Sequence, residues 1–284
     1  MERTVSERLC CPAPAKINLF LHVVGRRDDG YHLLQSVFRL IDWADEITVA
    51  DRDDGRIARV QPLPGVDESL DLTIRAARLL QQATGVRRGA TIGVDKRLPM
   101  GGGIGGGSSD AATVMLALNR LWGLGLRRSE LMALGLKLGA DVPFFLFGRD
   151  AFVEGIGEQL KAVNLAPAWY VVIAPQVSVP TPAIFSDPDL TRDTAPIRMA
   201  DFAASTTRND LEPVVRLRYP EVDRAIRWLE RFSPARMSGS GSCLFAQFPS
   251  QGDALQVVAQ CPVEWTAKCV QSLPGHPLRD WADD

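Results

Sequence analysis

Apolar and polar residues alternate from Ala13 in "AKINLFLHVVGRR", placing Ile17, Leu19, Leu21 and Val23 on one face and Asn18, Phe20 and His22 on the other. A period of two predicts a strand. "RRDDGYH" follows, and its Asp-Gly step predicts a hairpin turn. "YHLLQSVFRLI" and "DEITVADRDDGRIARV" read as further strands, the latter folded back at Asp-Asp-Gly. "LTIRAARLLQQATG" then shows apolar residues at helical spacing and stops at Gly85. "GATIGVDKRL" returns to alternation. Helices are expected from Ser109 to about Trp122 and from Ser129 to about Gly139, with Ser129 as N-cap of the second. "DAFVEGIGEQL" reads as a hairpin.

Beyond about Val163 the chain turns proline-rich in "NLAPAWYVVIAPQVSVPTPAIFSDPDL". Strands and helices then alternate through "YVVIAP", "PEVDRAIRWLERF", "ARMSG", "SCLFAQF", a helix from about Ser250, and "EWTAKCV". The pattern predicts two α+β domains, residues 1–160 and 161–284.

With 46% hydrophobic and 23% charged residues the chain has the composition of a globular protein. No apolar run reaches bilayer length, and "MERTVSERLCC" has acids where a signal peptide has an apolar stretch, so a cytoplasmic location is expected. A net charge of −2 without a basic block argues against a nucleic-acid partner. Phosphates, if bound, would be held largely by backbone N–H groups. Only five of the 32 basic residues are lysine (16, 96, 137, 161 and 268), which singles each out for inspection. Five cysteines without a C-x-x-C pair and three histidines give no zinc-site spacing, and no metal ligands are assigned.

The stretch "LPMGGGIGGGSSDAA" holds six glycines among the seven residues Gly101 to Gly107. A flexible linker is one reading. A strand running in and a helix running out favour the other, an anion cradle made of backbone N–H groups and a helix N-terminus. No Gly-Lys pair exists for a Walker loop. Gly101, Gly103 and Gly106 fit G-x-G-x-x-G, but the acid expected about 20 residues on is missing. "HRD" and "DFG" are absent.

"PMGGGIGGGSSDAA", together with "PAKINL" (14–19) and "MSGSGSCLF" (237–245), resembles three ordered motifs of the GHMP kinases, small-molecule kinases named for galactose, homoserine, mevalonate and phosphomevalonate. The resemblance implies a two-domain α+β fold, with a ribosomal-protein-like first domain and a ferredoxin-like second. It also implies phosphorylation of an alcohol with ATP and Mg²⁺ as co-substrate and cofactor. "PAKINLFLHVVGRRDDGYH" and "GADVPFFL" are similar to the branch whose acceptor is a CDP-linked methylerythritol, a small molecule of isoprenoid precursor synthesis.

On the residues alone, Asp141 is equally a turn or cap residue, and Lys16 reads as an exposed strand lysine. The resemblance makes Asp141 the catalytic base, in a segment that Pro143 predicts to be extended. Lys16 would lie beside it, lowering its basicity and stabilising the moving phosphoryl. Asn18 projects on the same face and would hold the substrate hydroxyl. Tyr31 and His32 would bind cytosine, with Phe185 completing the stack. ATP would contact Lys96, Pro99, Met100, Gly101, Gly102, Gly103, Ile104, Gly105, Gly106, Gly107, Ser108 and Ser109, with Gly239, Ser240 and Gly241 offering N–H groups from the second domain. The competing expectations are a kinase of another alcohol (homoserine or mevalonate type), a non-catalytic nucleotide- or RNA-binding protein on the same fold, and an NAD oxidoreductase. The oligomeric state is not fixed by the sequence.

Overall fold

A computed structural model of the chain describes residues 8–202 and 206–284. Two long strands, β1 (Arg8–Arg26) and β2 (His32–Arg52), form an antiparallel hairpin closed by a turn with Gly30 at φ 91°. β2 is one continuous strand where the sequence suggests two. Beyond it, β3 (Ile57–Arg59) does not fold back on β2 as expected from Asp-Asp-Gly. It pairs in parallel with β4 (Gly89–Asp95), reached through helix α1 (Leu72–Thr84). α1 ends where the pattern places its end, with Gly85 in the left-handed region. β5 (Ala151–Glu154) and β6 (Gln159–Ala162) complete a six-stranded sheet in the order β3-β4-β2-β5-β6, with β1 alongside β2. A second sheet is built from β7 (Trp169–Ala174), β8 (Ala235–Met237), β9 (Leu244–Phe248) and β10 (Thr266–Gln271), ordered β10-β7-β9-β8.

β1 departs from a one-sided amphipathic strand. Asn18, Phe20 and His22 are buried, as are Ile17, Leu21 and Val23. A register shift between Asn18 and Leu21 re-aims the strand midway. Its start (Cys11, Ala13) joins the core under α1 and the glycine-loop helix, whereas Leu21 and Val23 join the core of the second sheet. That second core also holds residues of α6 (Glu212–Arg218), α7 (Pro220–Leu229) and α8 (Gln251–Val258).

Three helical segments depart from expectation. The helix after the glycines, α2 (Gly106–Leu121), begins three residues before Ser109. Gly105 serves as its N-cap at φ 76°, so the loop enters the helix directly. In α3 (Arg128–Gly135), Arg127 is the N-cap, and Glu130 reaches back to accept its backbone N–H at 2.9 Å, which leaves Ser129 in the first turn. The segment at Asp141 is helical, not extended: Asp141 lies at φ −83°, ψ −17° and leads into α4 (Val142–Phe147). Pro143 sits in that helix's first turn, where a missing N–H breaks no intrahelical bond.

Candidate active site

The glycine loop is fixed from two sides. The backbone N–H of Lys16 donates to Ile104 at 3.0 Å, tying the loop to β1, while the N–H of Cys243 donates to Gly102 at 3.0 Å. The hydroxyl of Ser238 donates to the carbonyl of Gly103 at 3.0 Å and accepts the N–H of Asn18 at 3.1 Å, so one serine joins loop, strand and "SGSGS" turn. Close packing accounts for several of the glycines. A Cβ at Gly102 would meet Cys243 Sγ at 2.4 Å, one at Gly103 the Ser238 carbonyl at 2.3 Å, and one at Gly105 the Phe145 ring at 2.7 Å. Gly107 is different. A Cβ there meets only Leu72 at 3.6 Å, an ordinary contact, so its bareness serves the open space in front of it.

That space is a 390 Å³ cavity bounded by Gly101 to Ser108, Pro99, Met100, Lys96, Asp110 and residues of α1. The first N–H groups of α2 have no partner within their own helix, and its positive dipole end lies at the same place. Ser108 borders this cavity and the next. Ser109 does not: its hydroxyl donates to the carbonyl of Pro14 at 2.6 Å and is fully buried. The Ile104 side chain is likewise buried among Ile17, Ile41 and Trp43, leaving its backbone at the cavity. Gly239 and Ser240 line the central cavity, whereas the N–H of Gly241 is taken by the carbonyl of Ser238 at 3.0 Å.

Lys96 is not a free cation. Its ammonium donates to Asp110 at 2.9 Å and to Asp45. Burial alone would lower the lysine, but Asp110 and Asp45 override this and hold it charged. Burial lifts Asp110 to about 7, with Asp45 adding and Lys96 opposing. One ammonium thus serves two buried carboxylates.

A second cavity of 380 Å³ adjoins the first, sharing Gly101, Gly103, Gly105 and Ser108. Lys16 and Asp141 meet in it, Nζ to Oδ2 at 3.4 Å, with the lysine side chain 4% exposed and the carboxylate 33%. Lys16 also donates to Asn18 Oδ1 at 2.5 Å and lies over the Phe38 ring at 4.4 Å. Asn18 in turn donates to Ser36 at 3.0 Å. The ammonium is therefore held in a fixed place. Asn18 thus orients Lys16 and itself lines this cavity, where the sequence expects it to meet the substrate hydroxyl.

A third cavity of 570 Å³ shares Leu34, Ala140, Ile156, Thr181 and Phe185 with the second. Tyr31, His32 and Phe185 line it. Tyr31 is 61% exposed, while the His32 and Phe185 rings lie 5.0 Å apart at 30°. Phe185 comes from α5 (Thr181–Ser186), which Thr181 links to Ser240 by a 2.6 Å hydrogen bond between hydroxyls. Arg192, which no sequence motif marks, donates from Nε to His32 Nε2 at 3.1 Å. Burial first, then Arg192 and Arg26, hold His32 below the ordinary imidazole range.

The three cavities form one groove: a backbone cradle for anions at one end, aromatic rings at the other, and a buried ammonium against a carboxylate between them. The family models for the GHMP kinases N terminal domain and GHMP kinases C terminal match residues 71–149 and 192–265, and the chain belongs to the GHMP kinases, ATP-dependent kinases of small molecules. It is 63% identical over 271 residues to the 4-diphosphocytidyl-2-C-methyl-D-erythritol kinase of Aromatoleum aromaticum, covering 95% of each chain. It is 57% identical over 278 residues to the enzyme of the same name from Cupriavidus metallidurans, covering 96% of this chain and 95% of the relative. A crystal structure of 4-(cytidine 5'-diphospho)-2C-methyl-D-erythritol kinase superposes with a TM-score of 0.81 at 35% identity, covering 93% of this chain and 99% of that one. A homoserine kinase from Cytophaga hutchinsonii, 18% identical, shares the fold with a TM-score of 0.65 over 97% of this chain and 98% of its own. No described helix is long and apolar enough to cross a membrane.

Proposed function

We propose that the protein transfers the γ-phosphoryl group of ATP to a hydroxyl of 4-diphosphocytidyl-2-C-methyl-D-erythritol, the 2-hydroxyl by resemblance, in isoprenoid precursor synthesis in the cytoplasm. The observation that carries this reading is the position of the Lys16–Asp141 pair where the anion cradle and the aromatic cavity meet. The high identity to relatives bearing that name supports it.

The triphosphate lies along Gly101 to Ser108, its oxygens on the N–H groups opening α2. The cytosine stacks at Tyr31 and Phe185, beside His32. This leaves the methylerythritol in the central cavity. Asp141 accepts the hydroxyl proton as the alcohol oxygen bonds to the γ-phosphorus and the bond to the β-phosphate oxygen breaks, releasing ADP. Lys16, paired with Asp141, places its positive charge beside the equatorial phosphoryl oxygens, where negative charge grows.

Among the described residues no three His, Cys, Asp or Glu side chains converge as a metal cage. The donor set fits a Mg²⁺ carried on phosphate oxygens and water, with the Ser108 hydroxyl as the side chain beside it. A cation held there would supply neutralisation of the phosphate charge.

A panel of alcohols with ATP tests the reading. Turnover of the CDP-linked methylerythritol is expected, and turnover only of homoserine or mevalonate would overturn it. Tyr31→Ala and Phe185→Ala are expected to raise KM for the CDP-linked acceptor about tenfold or more, losing about 1–3 kcal/mol of stacking, with KM for ATP unchanged.

A further inference from the structure

Arg192 is spent almost entirely on its own neighbourhood. Nη1 donates to the carbonyl of Leu190 at 3.0 Å, and Nη2 donates to those of Phe185 at 3.0 Å and Asp187 at 2.7 Å. These backbone acceptors hold the guanidinium plane against rotation. Its Nε–H points at His32 Nε2 from 3.1 Å. A guanidinium has no acceptor and does not lose its proton in a protein. The nitrogen facing it must therefore be the lone-pair nitrogen of the imidazole.

We propose that Arg192 fixes the tautomer of His32, so that Nδ1 carries the proton and offers a donor that matches cytosine and mismatches uracil. The inference rests on the reading of the acceptor as a cytidine diphosphate derivative. Cytosine N3 is an acceptor, whereas N3 of uracil bears a hydrogen. An Nδ1–H directed at that position makes a hydrogen bond with the first base and sets two donors against each other with the second. No described protein group occupies Nδ1, and the ring lines the aromatic cavity. A free imidazole would exchange its two tautomers and accommodate either base. A doubly protonated ring would lose the Arg192 hydrogen bond, and burial with the Arg192 and Arg26 charges opposes that form. Arg192 is on this argument a positioning residue that confers base specificity through His32, and also ties the segment carrying Phe185 to the ring facing it.

Two measurements on the full chain decide the matter. In ¹⁵N-histidine NMR of the free protein, with His32 assigned through a His32→Asn variant, a pyridine-type Nε2 and a pyrrole-type Nδ1 are expected. A pyrrole-type Nε2 or an averaged pair overturns the proposal. Kinetically, kcat/KM for the CDP-linked acceptor is expected to exceed that for its UDP-linked analogue by tenfold or more, since a site built to hydrogen-bond a base rejects the mismatched one strongly. Arg192→Met is expected to shrink that ratio about tenfold, and Arg192→Lys, which restores a donor, to retain most of it. Equal losses on both acceptors with the ratio unchanged would reduce Arg192 to scaffolding and overturn the proposal. A wild-type enzyme inactive on the CDP-linked acceptor would instead refute the functional reading, while the NMR result would still report the tautomer.

Discussion

The ammonium of Lys16 stands 3.4 Å from the carboxylate of Asp141, one supplied by the first strand and the other by the mouth of α4. The pair is asymmetric: the lysine is buried on Asn18 and Phe38, and the aspartate faces the groove. Buried positive charge beside a half-open carboxylate suits a reaction in which negative charge grows outside the pair. Asp141→Asn is expected to lower kcat by about a hundred- to ten-thousand-fold, the range for removing a general base. Lys16→Met should lose a comparable factor, and the double variant little more than either single one. Steady-state kinetics would show this, and a full product of the two losses would mean that the groups act separately.

The glycines divide into two kinds, and alanine substitutions separate them. Gly103 lies at φ 72° and its Cβ would strike the Ser238 carbonyl, so Gly103→Ala is expected to lower stability by about 1–3 kcal/mol. Gly107→Ala has room, sits inside α2, and is expected to leave the melting temperature unchanged or raise it. Its methyl group would project toward the nucleotide space, raising KM for ATP. Melting curves and ATP titrations on both variants check this; identical behaviour would contradict the division.

Lys96 combines a position at the nucleotide cavity with a structural duty toward Asp45 and Asp110. Removing the ammonium leaves two buried carboxylates facing one another. Lys96→Met is expected to destabilise the fold by about 3–5 kcal/mol. Adding Asp110→Asn should recover much of that. Denaturant unfolding measures both variants, and an unaltered midpoint for Lys96→Met would show that the lysine serves the ligand alone.

His276 supplies a pH dependence whose sign is fixed. It is buried, and burial with the Arg128 charge lowers it to about 3. Its Nδ1 accepts the N–H of Leu278 at 3.1 Å. The unfolded chain takes up the proton near 6.5 and the folded chain only near 3, so stability is full above the first value and falls as pH drops between them. The slope from this group approaches about 1.4 kcal/mol per pH unit in that window. His276→Asn keeps an acceptor for Leu278 and removes the titration. Thermal melts from pH 7.5 to pH 4 should fall less steeply for the variant; parallel curves would assign the acid sensitivity elsewhere.

What was legible in the sequence was local. The stop of α1 at Gly85, the run "WYVVIA" of β7 and the Ser250 cap of α8 are each written in a few neighbouring residues. The glycine stretch implies a close backbone approach, and motif resemblance singles out Lys16 and Asp141, whose burial and spacing only the fold supplies. What is not legible locally depends on partners far along the chain. Asp45 and Asp110 look like ordinary acids until Lys96 is placed between them, although an aspartate inside the apolar run of α2 was a usable sign. Arg192 sits in a proline-rich stretch without periodicity, and only its distance to His32 gives it meaning. α2 starts at Gly106 and not at Ser109 because Gly105 takes the left-handed turn that opens the helix, which apolar periodicity does not register.

β1 contributes Cys11 and Ala13 to one interior, Ile17 to a second, Phe20 to a third, and Leu21 and Val23 to the one beneath the far sheet. A fragment beginning after β6 would therefore lack part of its own filling, and a fragment ending there would forfeit Leu278 and Ala282, which close the near side. The molecule should melt as a single body, and a cut anywhere in that first ribbon would loosen both ends at once.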